Sequence, residues 1–153
     1  MPLLSAPRND LTAAKRIELN TENGLDSKAL IVTGASRGIG AETARLAAQH
    51  GWSVCVNYRS RRDEADAVVS AIEADGGTAI AVQADVSIES DVNRLFHTCD
   101  RQLGRLSGLV NNAGILETQA RFEAIDTARA IVWLLSDEAS FTTGAFIDIA
   151  GGK

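Results

Sequence analysis

With 153 residues, 45% of them hydrophobic and 23% charged, the chain has the composition of one globular domain large enough to bury a real core. A net charge of -5 without any basic block argues against a nucleic-acid or anionic-membrane partner. No apolar run approaches the roughly 20 residues that cross a bilayer, and Leu3 and Leu4 do not extend into a secretory signal, so a cytoplasmic location is expected.

Residues 1–27 are polar and mixed in charge, with Pro2, Pro7 and Gly24, and are expected to form a flexible tail; the apolar spacing of Leu11 to Leu19 is poor for a helix. From Lys28 the pattern becomes regular. Ala29 to Thr33 predicts a first strand, Gly34 to Gly40 a glycine turn, and Ile39 to His50 a helix stopped by Gly51. Strand, glycine turn and helix start place free backbone N–H groups at a helix N-terminus, where an anion can sit. Gly34 suits a tight turn, Gly38 a close approach by pyrophosphate, and Gly40 close packing of helix on strand. The spacing is G-x-x-x-G-x-G rather than G-x-G-x-x-G, so the commoner dinucleotide fingerprint does not match. Glycines that merely turn the chain are the competing reading; the legible strand before them and helix after them favour the anion site.

Trp52 to Tyr58 alternates and predicts a second strand; Glu64 to Ala74, with Ala65, Val68, Val69 and Ile72 on one face, predicts a second helix ended by Gly76-Gly77. Thr78 to Gln83 is a third strand. Ser87 is the expected N-cap of a third helix whose Val92, Phe96, Cys99 and Leu103 recur at helical spacing until Gly104. Leu106 to Asn111 is a fourth strand, followed by Asn112-Ala113-Gly114; a long helix over about Gln119 to Leu135 and a short strand over Ala145 to Ile149 complete the pattern. On the long helix Ala124, Ala128, Ile131 and Leu135 share one face. Strands alternating with helices imply right-handed βαβ units and a parallel sheet, with a ligand crevice at the carboxyl end of the first strand. Cys55 and Cys99 stand isolated, without a His or Cys at ligand spacing, so buried reduced thiols are expected and no metal site. His50 and His97 are read as helix-surface residues.

These residues closely resemble the short-chain dehydrogenase/reductase family over about Lys28 to Gly152. Thr33-Gly34-Ala35-Ser36-Arg37-Gly38-Ile39-Gly40 is similar to its cofactor turn, Asp85-Val86 to the pair that meets the adenine, and Asn111-Asn112-Ala113-Gly114 to its motif after the fourth strand. Ser136 to Gly144 and Ile149-Ala150-Gly151-Gly152 resemble its C-terminus, with Ala150 where an Asp is usual. The resemblance implies a Rossmann-type α/β fold, a three-layer αβα sandwich around a truncated, doubly wound parallel sheet of five strands in the order 3-2-1-4-5. It implies a dinucleotide held by Gly34, Ser36, Arg37, Gly38, Ile39, Gly40, Asn57, Tyr58, Arg59, Ser60, Asp85, Val86, Asn112, Ala113 and Gly114, and possible homo-oligomers.

The end of the second strand decides between cofactors. An NAD-preferring member usually has an acidic residue there to bond the ribose hydroxyls. Here it reads Asn57-Tyr58-Arg59-Ser60-Arg61-Arg62, with no carboxylate before Asp63, and Arg37 lies inside the glycine turn. A guanidinium offers paired donors to a phosphate dianion, so NADP(H) is expected over NAD(H). A solvated arginine run before a helix is the competing reading for Arg61 and Arg62.

The chain departs from the family at the catalytic segment. Members use a Tyr-x-x-x-Lys pair, with a Ser one strand earlier. The single tyrosine here, Tyr58, is followed four residues later by Arg62, and the lysines are Lys15, Lys28 and Lys153. Ser107, Ser136 and Ser140 are hydroxyls without that motif and are assigned to loops and helix ends. Phe122 to Arg129 resembles the helix after the fourth strand, whereas Ala128 to Leu135 resembles the family's last helix. The two patterns meet near Ala128-Arg129, which reads as an in-frame internal deletion of at least two strand–helix units, at roughly 30 residues or more each. Residues 28–153 would then form one domain fused at 128–129, its last helix and strand completing a further right-handed crossover, with Trp133 and Phe141 exposed. Three functions remain open: a cofactor-binding protein without catalysis, a working oxidoreductase with another acid/base, and a nonfunctional deletion product.

Overall fold

The computed structural model describes residues 28–114 and 124–140. Within them the chain runs β1 (Ala29–Val32), α1 (Gly38–Gln49), β2 (Ser53–Tyr58), α2 (Arg62–Ala74), β3 (Thr78–Gln83), α3 (Glu89–Leu103), β4 (Leu106–Val110) and α4 (Ala124–Leu134), then a 3-10 turn at Asp137–Ala139. The four strands are all parallel in the order β3-β2-β1-β4. β1 is central, and each of its residues, Ala29 to Val32, is fully buried. That burial explains the continuous apolar run: a parallel strand covered on both faces has no polar side to show.

Alternate residues of the sheet feed two cores. Leu30, Val32, Val54 and Val56 face α1 and α2, where they meet Ala44, Ala47, Val68 and Ile72. Ile31, Cys55 and Val82 face α3 and pack on Leu95, Cys99 and Leu103. Small residues on α1 let it lie close over β1, and Val132 of α4 joins the same core. At fully buried positions such as Leu30 and Ile31, each side chain contributes on the order of 1.5–3 kcal/mol of transfer free energy.

β1 pairs Ala29 with Leu106 but Leu30 with Gly108, so Ser107 is an extra residue on β4. Gly108 is required at the bulge because a Cβ there would sit 2.9 Å from the Leu30 side chain. Ser107 therefore belongs to the beginning of β4, at the end of the sheet opposite the glycine turn, and its hydroxyl donates to the Arg105 carbonyl.

One sequence expectation needs correction. Ser87 is not the N-cap of α3: Ile88 occupies that position without a side-chain cap, and the Ser87 hydroxyl donates instead to Asp85 Oδ1 at 2.6 Å. Helix α4 packs along α1. The steps from β1 to β2 and from β2 to β3 run toward one edge with α1 and α2 on one face. The step from β3 to β4 runs the other way with α3 on the opposite face, as right-handed connections require. The expected fifth strand, with its right-handed crossover, would follow α4. Residues 145–149, assigned to that strand, lie outside the described residues, as do the expected tail and Phe141.

Candidate functional site

The carboxyl ends of all four strands come to one edge of the sheet, and the residues that the sequence marked for the cofactor lie at those strand ends, in the loops that leave them and in the first turn of α1. Thr33 holds the outer loops together. Its N–H donates to the Val110 carbonyl at 3.0 Å, and its hydroxyl oxygen accepts the N–H groups of Asn112 and Ala113, each at 3.0 Å. Asn112 answers with its side-chain amide, which donates to the carbonyls of Thr33 at 2.9 Å and Gly34 at 3.1 Å. The turn after β1 and the loop after β4 are thereby one unit.

Asn57 does the same from the other side. It is 2% exposed in the middle of an otherwise apolar sheet. Its Oδ1 accepts the Gly34 N–H at 3.3 Å, while its Nδ2 donates to the carbonyls of Val82 and Ala84 at 3.3 and 3.1 Å. The Ala35 N–H donates to the Asn57 carbonyl at 2.8 Å. A buried amide bonded to three backbone groups clamps the ends of β1, β2 and β3 together. Tyr58 is likewise turned into the core, 6% exposed. Of the residues marked at the end of β2, only Arg59 and Ser60 reach the surface.

The three glycines divide as follows. Gly34 and Gly38 adopt φ of +63° and +59°, a conformation that costs other residues on the order of 1–2 kcal/mol. A Cβ on Gly38 would meet no atom within 4 Å, so the space in front of it is open. A Cβ on Gly40 would lie 2.4 Å from Asn112 Nδ2 and 2.8 Å from the Gly34 carbonyl oxygen. Gly40 thus lets α1 pack on the two-loop unit, whereas Gly38 keeps the chain out of the open space. Arg37 is the N-cap of α1 and makes no capping hydrogen bond, and no acidic residue stands in the first turn. The amino end of α1 carries a partial positive charge, and among the described residues no side chain caps it.

The arginines separate in the structure as they could not in the sequence. Arg61 donates to Glu64 at 2.6 Å and Arg62 to Asp66 at 3.4 Å, so both are engaged by carboxylates of their own helix. Arg37 has no ion-pair partner among the described residues. Arg59 is exposed, and its charge reaches Asp85. After β3, Asp85 accepts from the Ser87 hydroxyl and N–H, and its own N–H donates to Asp91 Oδ2 at 2.9 Å. Asp91 in turn accepts from Arg94 at 2.6 Å. The Ser87 bonds, with Arg59 nearby, hold the Asp85 carboxyl below the ordinary carboxylate range. The Asp85 N–H first and Arg94 second do the same for Asp91. This braced loop presents Val86, an apolar side chain 43% exposed, to the crevice edge.

Other candidate groups lie elsewhere. A cavity of about 430 Å³ opens at the amino end of β1, between Lys28, Trp52 and α4, and Ser136 lines it. It shares no residue with the glycine turn. Ser107, which lies within β4 rather than in a loop or at a helix end, and Ser136, just after α4, stand away from the crevice. His50 and His97 are exposed, as expected. Cys55 and Cys99, isolated in sequence, meet in the core on the α3 side. The hydrogen bond between them, with burial, pushes the Cys55 thiol above its usual range. Spacing could not reveal that pair, because the contact crosses from sheet to helix. Among the described residues, no group of three or more His, Cys, Asp and Glu side chains could hold a metal, and no helix is long and apolar enough to cross a membrane.

Comparison with known proteins agrees with this geometry. The chain is 52% identical over 96 residues to an uncharacterized oxidoreductase of Methylorubrum extorquens, an overlap of 63% of this chain and 39% of that protein. It is 50% identical over 91 residues to a 3-oxoacyl-[acyl-carrier-protein] reductase of Synechocystis, covering 60% of this chain and 37% of the relative. Among solved structures, a hydroxysteroid dehydrogenase from Escherichia coli superposes with a TM-score of 0.55 at 41% identity, over 59% of this chain and 38% of that one. The chain spans about two fifths of the length of each. The short chain dehydrogenase family model matches residues 28–133. That span is more than half of the sequence and carries the glycine turn, the braced Asp85 loop and the Asn112 unit: the chain belongs to the short chain dehydrogenase family.

Proposed function

We propose that this chain binds NADP(H) in the crevice at the carboxyl edge of its sheet and is impaired in catalysis. The observation that carries this reading is the uncapped amino end of α1, facing open space at Gly38 with the unpaired Arg37 beside it. A pyrophosphate placed there would take the free N–H groups of the first turn. Val86 would cover the adenine, and Ser36, Ile39, Ala113 and Gly114 would line the path of the dinucleotide. Arg37 and Arg59 would take the 2′-phosphate, since Arg61 and Arg62 are already engaged. The cofactor would supply hydride chemistry between an alcohol and a carbonyl, the oxidoreductase lineage to which the reductase and dehydrogenase relatives belong.

The reading of impaired catalysis rests on the sequence. No Tyr-x-x-x-Lys occurs in the 153 residues, and Tyr58 is buried in the core. Loss of general acid catalysis costs on the order of 10²–10⁴ in rate. An internal deletion ending near Ala128-Arg129 accounts for this, for the chain's short span of its relatives, and for a single domain over residues 28–153. The test is an NADPH titration of the purified protein, followed by NADPH oxidation with a panel of ketones and aldehydes. Saturable binding without turnover is expected. Turnover that disappears in Gly38→Ala would instead make the chain a working oxidoreductase, and absence of binding with a noncooperative melt would make it a remnant.

A further inference from the structure

Beside the glycine turn lies a second cavity, of about 400 Å³, with Ser36, Arg37 and Gly38 on one wall and Glu42, Arg45 and Glu64 among the residues of the other. Two arginines face two carboxylates, so the cavity has no net charge to offer an anion. Glu42 is paired with Arg45. Glu64 is arranged differently. Its Oε1 accepts from Arg61 at 2.6 Å, whereas its Oε2 is buried and has no hydrogen-bond partner among the described residues. The single ion pair with exposed Arg61 leaves part of the carboxylate's repulsion for a second anion.

We propose that Glu64 is a specificity-determining residue that opposes a 2′-phosphate in this crevice. It does so twice: its carboxylate belongs to a residue that lines the same cavity as Arg37, and its Oε1 holds Arg61 away from the phosphate. The chain's preference for NADP(H) is therefore set by Arg37 and Arg59 working against Glu64. This rests on the dinucleotide reading above.

Glu64→Gln keeps the size of the side chain and removes the charge. The dissociation constants of NADPH and NADH are measured for the unmodified protein and for E64Q at low and high salt. The expected result is NADPH affinity raised about three- to tenfold with NADH changed less than twofold, the gain shrinking at high salt because the crevice is open to solvent. A ratio of NADPH to NADH affinity unchanged in E64Q overturns the proposal and leaves the cofactor reading standing. Failure of the unmodified, cooperatively folded protein to bind either nucleotide overturns both. Glu64→Ala, which also frees Arg61, provides a second variant and is expected to shift the ratio in the same direction.

Discussion

Replacing Gly40 by alanine puts one methyl group into the tightest contact of the crevice floor. Its carbon would lie 2.4 Å from Asn112 Nδ2, 2.8 Å from the Gly34 carbonyl oxygen and 3.0 Å from Ala35 Cα. The Asn112 amide would have to retreat by about 1 Å to reach an ordinary van der Waals separation, and the other two neighbours are backbone. Overpacking of this kind costs about 1–3 kcal/mol. Displacing Asn112 also strains its two bonds to the carbonyls of Thr33 and Gly34, about 0.5–1.5 kcal/mol each. Alanine returns about 0.5–1 kcal/mol through its helix propensity. The net loss is centred on about 3 kcal/mol, or about 1.5 M in the urea midpoint at an m-value of about 2 kcal/mol/M. Gly38→Ala is the contrast: its methyl meets nothing, and only the positive φ is penalised, about 1 kcal/mol. Urea unfolding followed by circular dichroism should therefore rank the proteins with Gly38→Ala close below the parent and Gly40→Ala far below. A Gly40→Ala midpoint within 0.5 M of the parent would refute the packing geometry on which the site is built.

Asn57→Ala should lower stability by about 2–4 kcal/mol, because two strand-end carbonyls lose their donor, and Asn57→Asp should lower it further, since a carboxylate offers them none; the same urea experiment ranks the two. Asp85 and Asp91 have folded pKa values below their unfolded ones, so their contribution is present above the unfolded carboxylate pKa and is lost as pH falls through the folded values. Asp91→Asn should therefore flatten the decline of thermal stability on the acid side, measured as melting temperature against pH. Both thiols should be silent to a chromogenic disulfide reagent in the native protein and react together on unfolding, because Cys55 and Cys99 are fully buried. Arg37→Ala should weaken NADPH binding by about tenfold or more while changing NADH little, read by parallel titrations.

The sequence carried the strand and helix order because each of these elements states its period locally. Four buried residues of β1, the glycines at positive φ and the closing Gly104 are all visible as residue types at fixed spacing. What the sequence hid depends on which side chains meet across the sheet. Asn57 looked like a ligand contact at a strand end, and the structure spends its amide on three backbone groups. Its signal was a polar residue in the run Ser53–Tyr58, which marks a buried amide without saying what it bonds. Thr33, the staple between the loops, likewise read only as the end of a strand and the first residue of the glycine turn. Arg61 and Arg62 already carried the competing reading of a solvated run in the sequence, and α2 supplies the reason by setting carboxylates three and four residues on. The face chosen by α4 was invisible too, because its apolar stripe, with Ala128 and Val132 buried, fits either side of the sheet.

The central claim is that the crevice selects a 2′-phosphorylated dinucleotide, and equilibrium titration of the full chain with NADPH and NADH, followed by nicotinamide fluorescence, tests it most directly. The account predicts saturable binding of both, with NADPH the tighter. Binding of NADPH no tighter than NADH, or no saturable signal from a cooperatively folded protein, would contradict it.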